Sequence, residues 1–327
     1  MSEKNAKFTI RMDFEDNATV ALLFGEHNQN LMQIEEALDV KLDSFGNSIK
    51  ISGASAASKE ARKVIETLYK TMRDAGADEI DKSMVSDALR WESDNKASPK
   101  PQSIESIDTW KKKIVAKTAG QNQYLGLLRQ DEVVFGLGPA GTGKTYMAVA
   151  RAVEALKKRE VERIILSRPA VEAGERLGFL PGDMKEKVDP YLRPLYDALY
   201  DMMPADKVDR MLASGEIEIA PLAFMRGRTL TAAHEIIDEA QNTTPVQMKM
   251  VLTRLGQDSH MVITGDLSQV DLPAGQPSGL AEAVSLLDNI KGVGIIHLSG
   301  QDVVRHPVVA RILQAYEAGQ KQQNTSK

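Results

Sequence analysis

The sequence predicts an α/β protein built on a mainly parallel sheet, with a smaller α+β unit ahead of it. Three observations carry that reading. A complete G-x-x-x-x-G-K-[ST] phosphate loop, Gly138-Pro139-Ala140-Gly141-Thr142-Gly143-Lys144-Thr145, stands between an apolar run and a helix-forming stretch. From about residue 111 to 316, short apolar runs alternate with helical stretches. One of those runs ends in the acidic pair Asp238-Glu239.

Composition sets the outer bounds. A chain of 327 residues suits about two domains. Its 42% apolar and 27% charged residues are an ordinary globular balance, and a net charge of -5 gives no global nucleic-acid signature. The absence of cysteine excludes disulfides, thiol catalysis and thiolate metal sites. No apolar signal region follows Met1, and no apolar run approaches the length of a membrane span. The expectation is a cytoplasmic protein with no membrane partner.

In chain order, residues 8–75 form the small unit. Residues 76–110 are a charged connector, with a short helix expected over 81–91 and linker chemistry in Ser93-Asp94-Asn95-Lys96-Ala97-Ser98-Pro99-Lys100-Pro101. Residues 111–316 form the large domain, and the polar residues 317–327 are expected to be a disordered tail. Strands of the large domain are expected over 133–136, 163–167, 217–220, 235–238, 260–264 and 294–298. In open α/β sheets, ligands sit beyond the carboxyl ends of the strands, so these ends point at one crevice.

The phosphate loop brings specific chemistry to that crevice. Its glycines let the backbone curl so that N–H groups face phosphate oxygens. Lys144 reaches the outer phosphates, and the Thr145 hydroxyl can ligate Mg²⁺. The helix that follows, from Tyr146 to Leu156 in apolar periodicity, adds the positive potential of its N-terminus. An apolar strand ending in Asp238-Glu239 is what a Mg-dependent NTPase needs, with Asp238 on the metal and Glu239 on the attacking water. Thr264-Gly265-Asp266-Leu267-Ser268-Gln269 closes another apolar run, and Gln269 can sense a γ-phosphate or orient water. Upstream, Gln121 can hydrogen-bond an adenine edge and Tyr124 can stack on a ring. Both also suit a polar helix face. Thr244-Pro245-Val246-Gln247 reads as a capping box opening a helix whose core stripe is Met248, Val251, Leu252 and Leu255.

Arg168, Arg226, Arg228, Arg254 and Arg305 stand in or near loops of this domain. Each suits phosphate, nucleic acid or a structural ion pair. Arg305, in Arg305-His306-Pro307 after the last strand, and Arg254 are the candidates for an arginine finger.

Together these segments resemble the PhoH-like ATPase family. The phosphate loop, Asp-Glu-Ala-Gln-Asn-Thr-Thr-Pro, Thr-Gly-Asp-x-x-Gln-x-Asp-Leu-Pro and Arg-His-Pro fall in that order. The block from Arg168 to Asp183 is especially specific. The resemblance implies a single RecA-like core related to superfamily 1 helicases, and a link to RNA metabolism or phosphate starvation. It implies ATP and Mg²⁺ as cofactors. His234 and Glu235 stand where the family has apolar residues, so the start of that strand is expected to be less buried.

Residues 22–42, strand 49–53 and helix 56–73 look like a KH module, which grips RNA through a Gly-x-x-Gly loop. Here the loop is Gly25-Glu26-His27-Asn28, and Asn28 can still adopt positive φ. Glu26, Glu35, Glu36, Asp39 and Asp43 give it an acidic rim, leaving RNA binding and a partner role both open. The function expected is Mg-dependent ATP hydrolysis coupled to RNA remodelling or RNA metabolism. The alternative is a regulatory switch ATPase acting on a protein partner such as a ribonuclease, without helicase activity. A small-molecule kinase fits less well, because Glu239 and Gln269 suit water activation. A single core leaves one side of the nucleotide open, so a head-to-tail homo-oligomer, such as a ring, is expected.

Overall fold

The computed structural model describes residues 8–75, 84–86, 88, 89, 92, 105–169, 184–273 and 275–304. The chain divides into two compact units, Met1–Gln102 with Lys117–Ala119 and Ser103–Ala116 with Gly120–Lys327.

The first unit runs β1 (Phe8–Asp13), α1 (Asn17–Phe24), α2 (Gln29–Leu38), β2 (Lys41–Phe45), β3 (Ser48–Gly53) and α3 (Ser55–Ala75). The strands form an antiparallel sheet in the order β1-β3-β2, with Ile51 opposite both Ile10 and Leu42. Period-2 alternation puts Ile49 and Ile51 on buried ground, where they meet Leu23, Leu31, Ile34, Val64 and Ile65. Between α1 and α2 the backbone turns left-handed three times, at Gly25 (φ 72°), His27 (51°) and Asn28 (61°). Asn28 thus takes the conformation that glycine would take there. The buried Asn30 amide donates to the carbonyl of Leu23 at 3.2 Å, closing the end of α1. Residues 84–86, 88 and 89 are helical, and Val85 and Ala88 join this core.

The second unit opens with a hairpin of β4 (Ser106–Asp108) and β5 (Lys113–Val115). Residues 106–110 therefore leave the connector and join the large domain, because Ile107 is buried and pairs with Ile114. The rest runs α4 (Ala119–Gln130), β6 (Val133–Leu137), α5 (Lys144–Lys158), β7 (Arg163–Arg168), α6 (Met184–Met202), α7 (Ala205–Ser214), β8 (Ile217–Pro221), β9 (Ala233–Ile237), α8 (Pro245–Leu252), β10 (His260–Gly265), α9 (Gly279–Leu287) and β11 (Val293–His297). Strands β6 to β11 make one parallel sheet in the order β11-β6-β10-β9-β7-β8. This is an α/β fold of the P-loop NTPase type. The register aligns Leu137 with Gly265 and His297, and Ile237 with Ser167, so the carboxyl ends lie along one edge. The capping box of α8 is present: Gln247 N–H donates to Thr244 Oγ1 at 3.2 Å, and Thr244 N–H donates to Gln247 Oε1 at 2.9 Å. Met248 and Val251 are buried against Ile237 and Ile263.

The start of β9 corrects the sequence expectation. Both faces of a parallel sheet are covered, and β9 lies between β7 and β10. His234 and Glu235 are therefore 0% and 1% exposed. They point to opposite faces. His234 pairs across to His260, and their rings stack at 5.9 Å. Burial, with Arg151 nearby, holds its imidazole well below the ordinary histidine range, so it is neutral. Glu235 lies beside the apolar group of Ile165, Met225, Leu230 and Ala233, and neither of its oxygens has a hydrogen-bond partner among the described residues. Burial pushes its carboxyl up to about 8, against the attraction of Arg228 and Arg163.

Glu235 makes stability depend on pH. Its folded-state value lies above the ordinary 4.5, so the folded chain keeps a proton that the unfolded chain releases. This contribution is fully present below about pH 4.5 and is lost as pH rises through about 8. Glu235→Gln, which keeps the neutral shape, is expected to match the parent near about pH 5. Near about pH 9 it should exceed it by on the order of 2–3 kcal/mol, in thermal melts at both values. Equal melts at the alkaline value would show that burial does not raise the Glu235 carboxyl in the folded chain.

Candidate functional site

The phosphate loop is set by what lies behind it. As β6 ends, Gly138 N–H donates to Gly265 O at 3.1 Å, and Leu298 N–H donates to Leu137 O at 2.7 Å. Gly138 has φ 142°, and a Cβ there would lie 2.3 Å from the carbonyl oxygen of Leu298. Only glycine lets the loop leave the strand so close to β11. Gly141 (φ 89°) and Gly143 (φ 82°) complete the curl into α5. Within the loop, Thr142 Oγ1 donates to Pro139 O at 3.0 Å. The Lys144 ammonium donates to Gly138 O at 2.5 Å and Pro139 O at 2.9 Å. The buried Gln121 amide donates to Thr142 O at 3.1 Å, so this side chain braces the loop from beneath. Tyr124 is fully buried against Gly136, with its hydroxyl 3.4 Å from Lys144 O. That burial corrects the expectation of a stacking face at Tyr124.

The acidic pair is placed by the end of β9. Asp238 N–H donates to Ser167 O at 2.8 Å, holding the turn against β7. One oxygen of Asp238, Oδ1, accepts from Thr145 Oγ1 at 2.6 Å and from Thr264 Oγ1 at 2.7 Å. The carboxylate is 5% exposed, and such hydrogen bonds are what make a buried charge tolerable. Glu239 follows in the left-handed region (φ 52°, ψ 39°). That costs a non-glycine residue about 1–2 kcal/mol, and it turns the side chain into the cleft.

A chain of hydrogen bonds then runs between strand ends. Gln241 Nε2 donates to Glu239 Oε2 at 2.5 Å, and Gln241 Oε1 accepts from Asp266 N–H at 3.0 Å. Asp266 in turn accepts from Ser268 Oγ at 2.6 Å and from Gln269 Nε2 at 2.7 Å. Arg168 closes the other side, 3.4 Å from Glu239 Oε1 and 3.9 Å from Asp238 Oδ2. Arg168, Asp238, Glu239, Asp266 and Gln269 edge a cleft of about 700 Å³, a volume ordinary for ligand sites.

The structure thus brings together the loop 138–145, Asp238, Glu239 and Gln269. Gln121 lies beneath the loop. Arg305 lies outside the described residues, as do the connector residues 93–101 and most of the block after Arg168. Arg228 is committed to both oxygens of Glu218 at 2.6 and 2.7 Å, and Arg254 donates to the carbonyls of Met250 and Arg228. Sequence reasoning missed Thr264 and Gln241, although each is a polar residue at or just past a strand end. It also missed the wall contributed by α6.

The donor set fits a divalent cation beside phosphates: one carboxylate, a hydroxyl bonded to it and a loop of backbone amides. Among the described residues there is no cluster of three or more histidine or acidic side chains that would suit a metal held by protein alone. No helix among them is long and apolar enough to cross a membrane.

Residues 113–317 match the family described as PhoH-like protein. A PhoH-like protein of Bacillus subtilis (strain 168) is 50% identical over 298 residues, covering 90% of this chain and 93% of that one. A PhoH-like protein of Mycobacterium tuberculosis (strain ATCC 25618 / H37Rv) is 45% identical over 316 residues, covering 96% and 89%. Protein PhoH of Escherichia coli (strain K12) is 45% identical over 205 residues, covering 62% and 58%.

The close approach at Gly138 is testable without any ligand. Gly138→Ala is expected to lower stability by about 2–3 kcal/mol, seen as a drop in Tm with helix content retained. An unchanged Tm would show that β11 yields to the added methyl group.

Proposed function

The chain belongs to the PhoH-like protein family, and from that premise we propose that it is a Mg²⁺-dependent ATPase whose turnover is coupled to RNA remodelling or RNA metabolism. The observation that carries the hydrolytic reading is the convergence of Thr145 and Thr264 on one oxygen of Asp238, with Glu239 next in sequence and Lys144 across the cleft. Thr145 and Asp238 are the residues that would hold Mg²⁺, which when bound offsets the charge of the outer phosphates. Loop amides 138–145 and Lys144 hold the phosphates in place. Gln121 acts on the nucleotide through the loop it braces.

Glu239 orients a water in line with the γ-phosphorus and accepts its proton. The water oxygen bonds to phosphorus, the bond to the bridging oxygen breaks, and ADP and phosphate leave. Gln269, tied to Asp266, reports the presence of the γ-phosphate. Arg168 lies close enough to the carboxylates to balance charge. An arginine from a neighbouring copy, Arg305 being the candidate, completes the site in a head-to-tail homo-oligomer, a ring being the closed form.

One observation favours a second reading, a switch ATPase acting on a protein partner such as a ribonuclease. In the KH-like unit, Glu26 of the loop and Glu36 and Asp39 at the far end of α2 are exposed carboxylates that repel a phosphate backbone. ATPase turnover indifferent to added single-stranded RNA would favour this reading over the RNA-coupled one.

Two substitutions separate binding from chemistry. Lys144→Ala is expected to weaken ATP binding by at least about tenfold in calorimetry. Glu239→Gln is expected to bind ATP normally while turnover falls by about 10²–10⁴-fold, and substantial residual turnover would remove Glu239 from its role. Turnover per chain is expected to fall on dilution as the assembly dissociates. Full activity in a demonstrated monomer would sink the shared site.

A further inference from the structure

The cleft has two chemically different ends. One is the loop, with its amides and Lys144. The other is formed by the first turn of α5 and by α6: Tyr146, Asp197, Asp201 and the apolar Pro194 and Ala198. Asp197 and Asp201 stand four residues apart on one face of a helix. Asp201 is paired with Lys112, but the Asp197 carboxylate repels a polyphosphate, so a nucleotide seated on the loop has its uncharged part at this second end.

Tyr146 is held there in one orientation. Its hydroxyl donates to Asp201 Oδ2 at 2.7 Å. The Lys112 ammonium lies 2.5 Å from that same oxygen and 5.9 Å from the centre of the Tyr146 ring. Lys112 is fixed in its turn, because neighbouring Lys111 is bonded through its N–H to Met202 O at 3.0 Å and through its ammonium to Tyr200 O at 2.9 Å. Three contacts thus immobilise an aromatic ring one residue beyond Thr145. A ring held this way loses little entropy when a flat ligand stacks on it. No part of the hydrolytic chemistry uses Tyr146, Lys112 or Asp201.

We propose that Tyr146, clamped by Asp201 and Lys112, is the platform on which the nucleobase of the bound nucleotide stacks, and that Asp197 accepts hydrogen bonds from the ribose hydroxyls. The proposal rests on the nucleotide reading of the cleft and adds its nucleoside-binding end. Stacking accepts any base, so the platform favours nucleotides over bare polyphosphate without choosing strongly among bases. The carboxylate matches a ribose, whose hydroxyls are donors.

The test compares ATP with inorganic tripolyphosphate, each with Mg²⁺, by calorimetry on the full chain. Wild type is expected to bind ATP more tightly than tripolyphosphate. Tyr146→Ala is expected to weaken ATP by about tenfold, the scale of one base–aromatic contact, and to leave tripolyphosphate within about twofold. Tyr146→Phe keeps the ring and is expected to retain ATP affinity within about threefold. Asp197→Asn is expected to weaken ATP by about fivefold and not tripolyphosphate. Wild-type ATP affinity in Tyr146→Ala overturns the platform. So does an equal loss of both probes, which would make Tyr146 a support for the loop. A wild-type chain that binds neither probe overturns the nucleotide reading itself, and the platform with it.

Discussion

Asp238 Oδ1 accepts two hydroxyl groups from two different parts of the chain. Thr145 belongs to the first turn of α5, Thr264 to β10, and the carboxylate itself to the end of β9. Charge-assisted bonds of this kind are each about 1.5–3 kcal/mol, and a nearly buried carboxylate without them would be costly. The phosphate loop, the acidic pair and the β10 turn are therefore positioned by a single oxygen as well as by the sheet. The parallel register brings the three segments to the same edge, and the carboxylate fixes their spacing within it.

Much of the site was legible because its signals are local. A phosphate loop is contiguous, so its glycines, Lys144 and Thr145 could be read off directly. An apolar run ending in Asp-Glu carries its own context. The capping box of α8 was equally visible, since Thr244 and Gln247 are three residues apart. What escaped depends on pairings that no window contains. Arg168, Arg228 and Arg254 look alike in sequence. Only the fold shows that Arg228 is committed to Glu218, that Arg254 holds carbonyls, and that Arg168 faces the acidic pair. The α6 wall escaped for the same reason, because the acids of a helix far from any motif read as solvated surface.

His234 and Glu235 show the opposite failure. Polar residues at the start of a strand read as a partly exposed end. Yet β9 is an interior strand of a sheet covered on both faces, and its position overrides its composition. The chain accommodates them by keeping the histidine neutral and pushing the carboxyl up to about 8. The first unit was more faithful to its sequence. Asn28 adopts the left-handed backbone that its place in the loop demands, and the antiparallel strands bury the alternating isoleucines.

Gln241 gives the hydrogen-bond chain across the strand ends a sense of direction. An amide has unlike ends, and here the nitrogen faces the Glu239 carboxylate while the oxygen faces a backbone N–H. Neither neighbour can exchange roles, so the amide has one workable orientation. A carboxylate in its place would set like charges face to face, and a shorter amide would not span the gap. The polarity of one uncharged side chain thus makes the β9 and β10 turns a single mechanical piece, and a displacement at one strand end is carried to the next without any charge having to move.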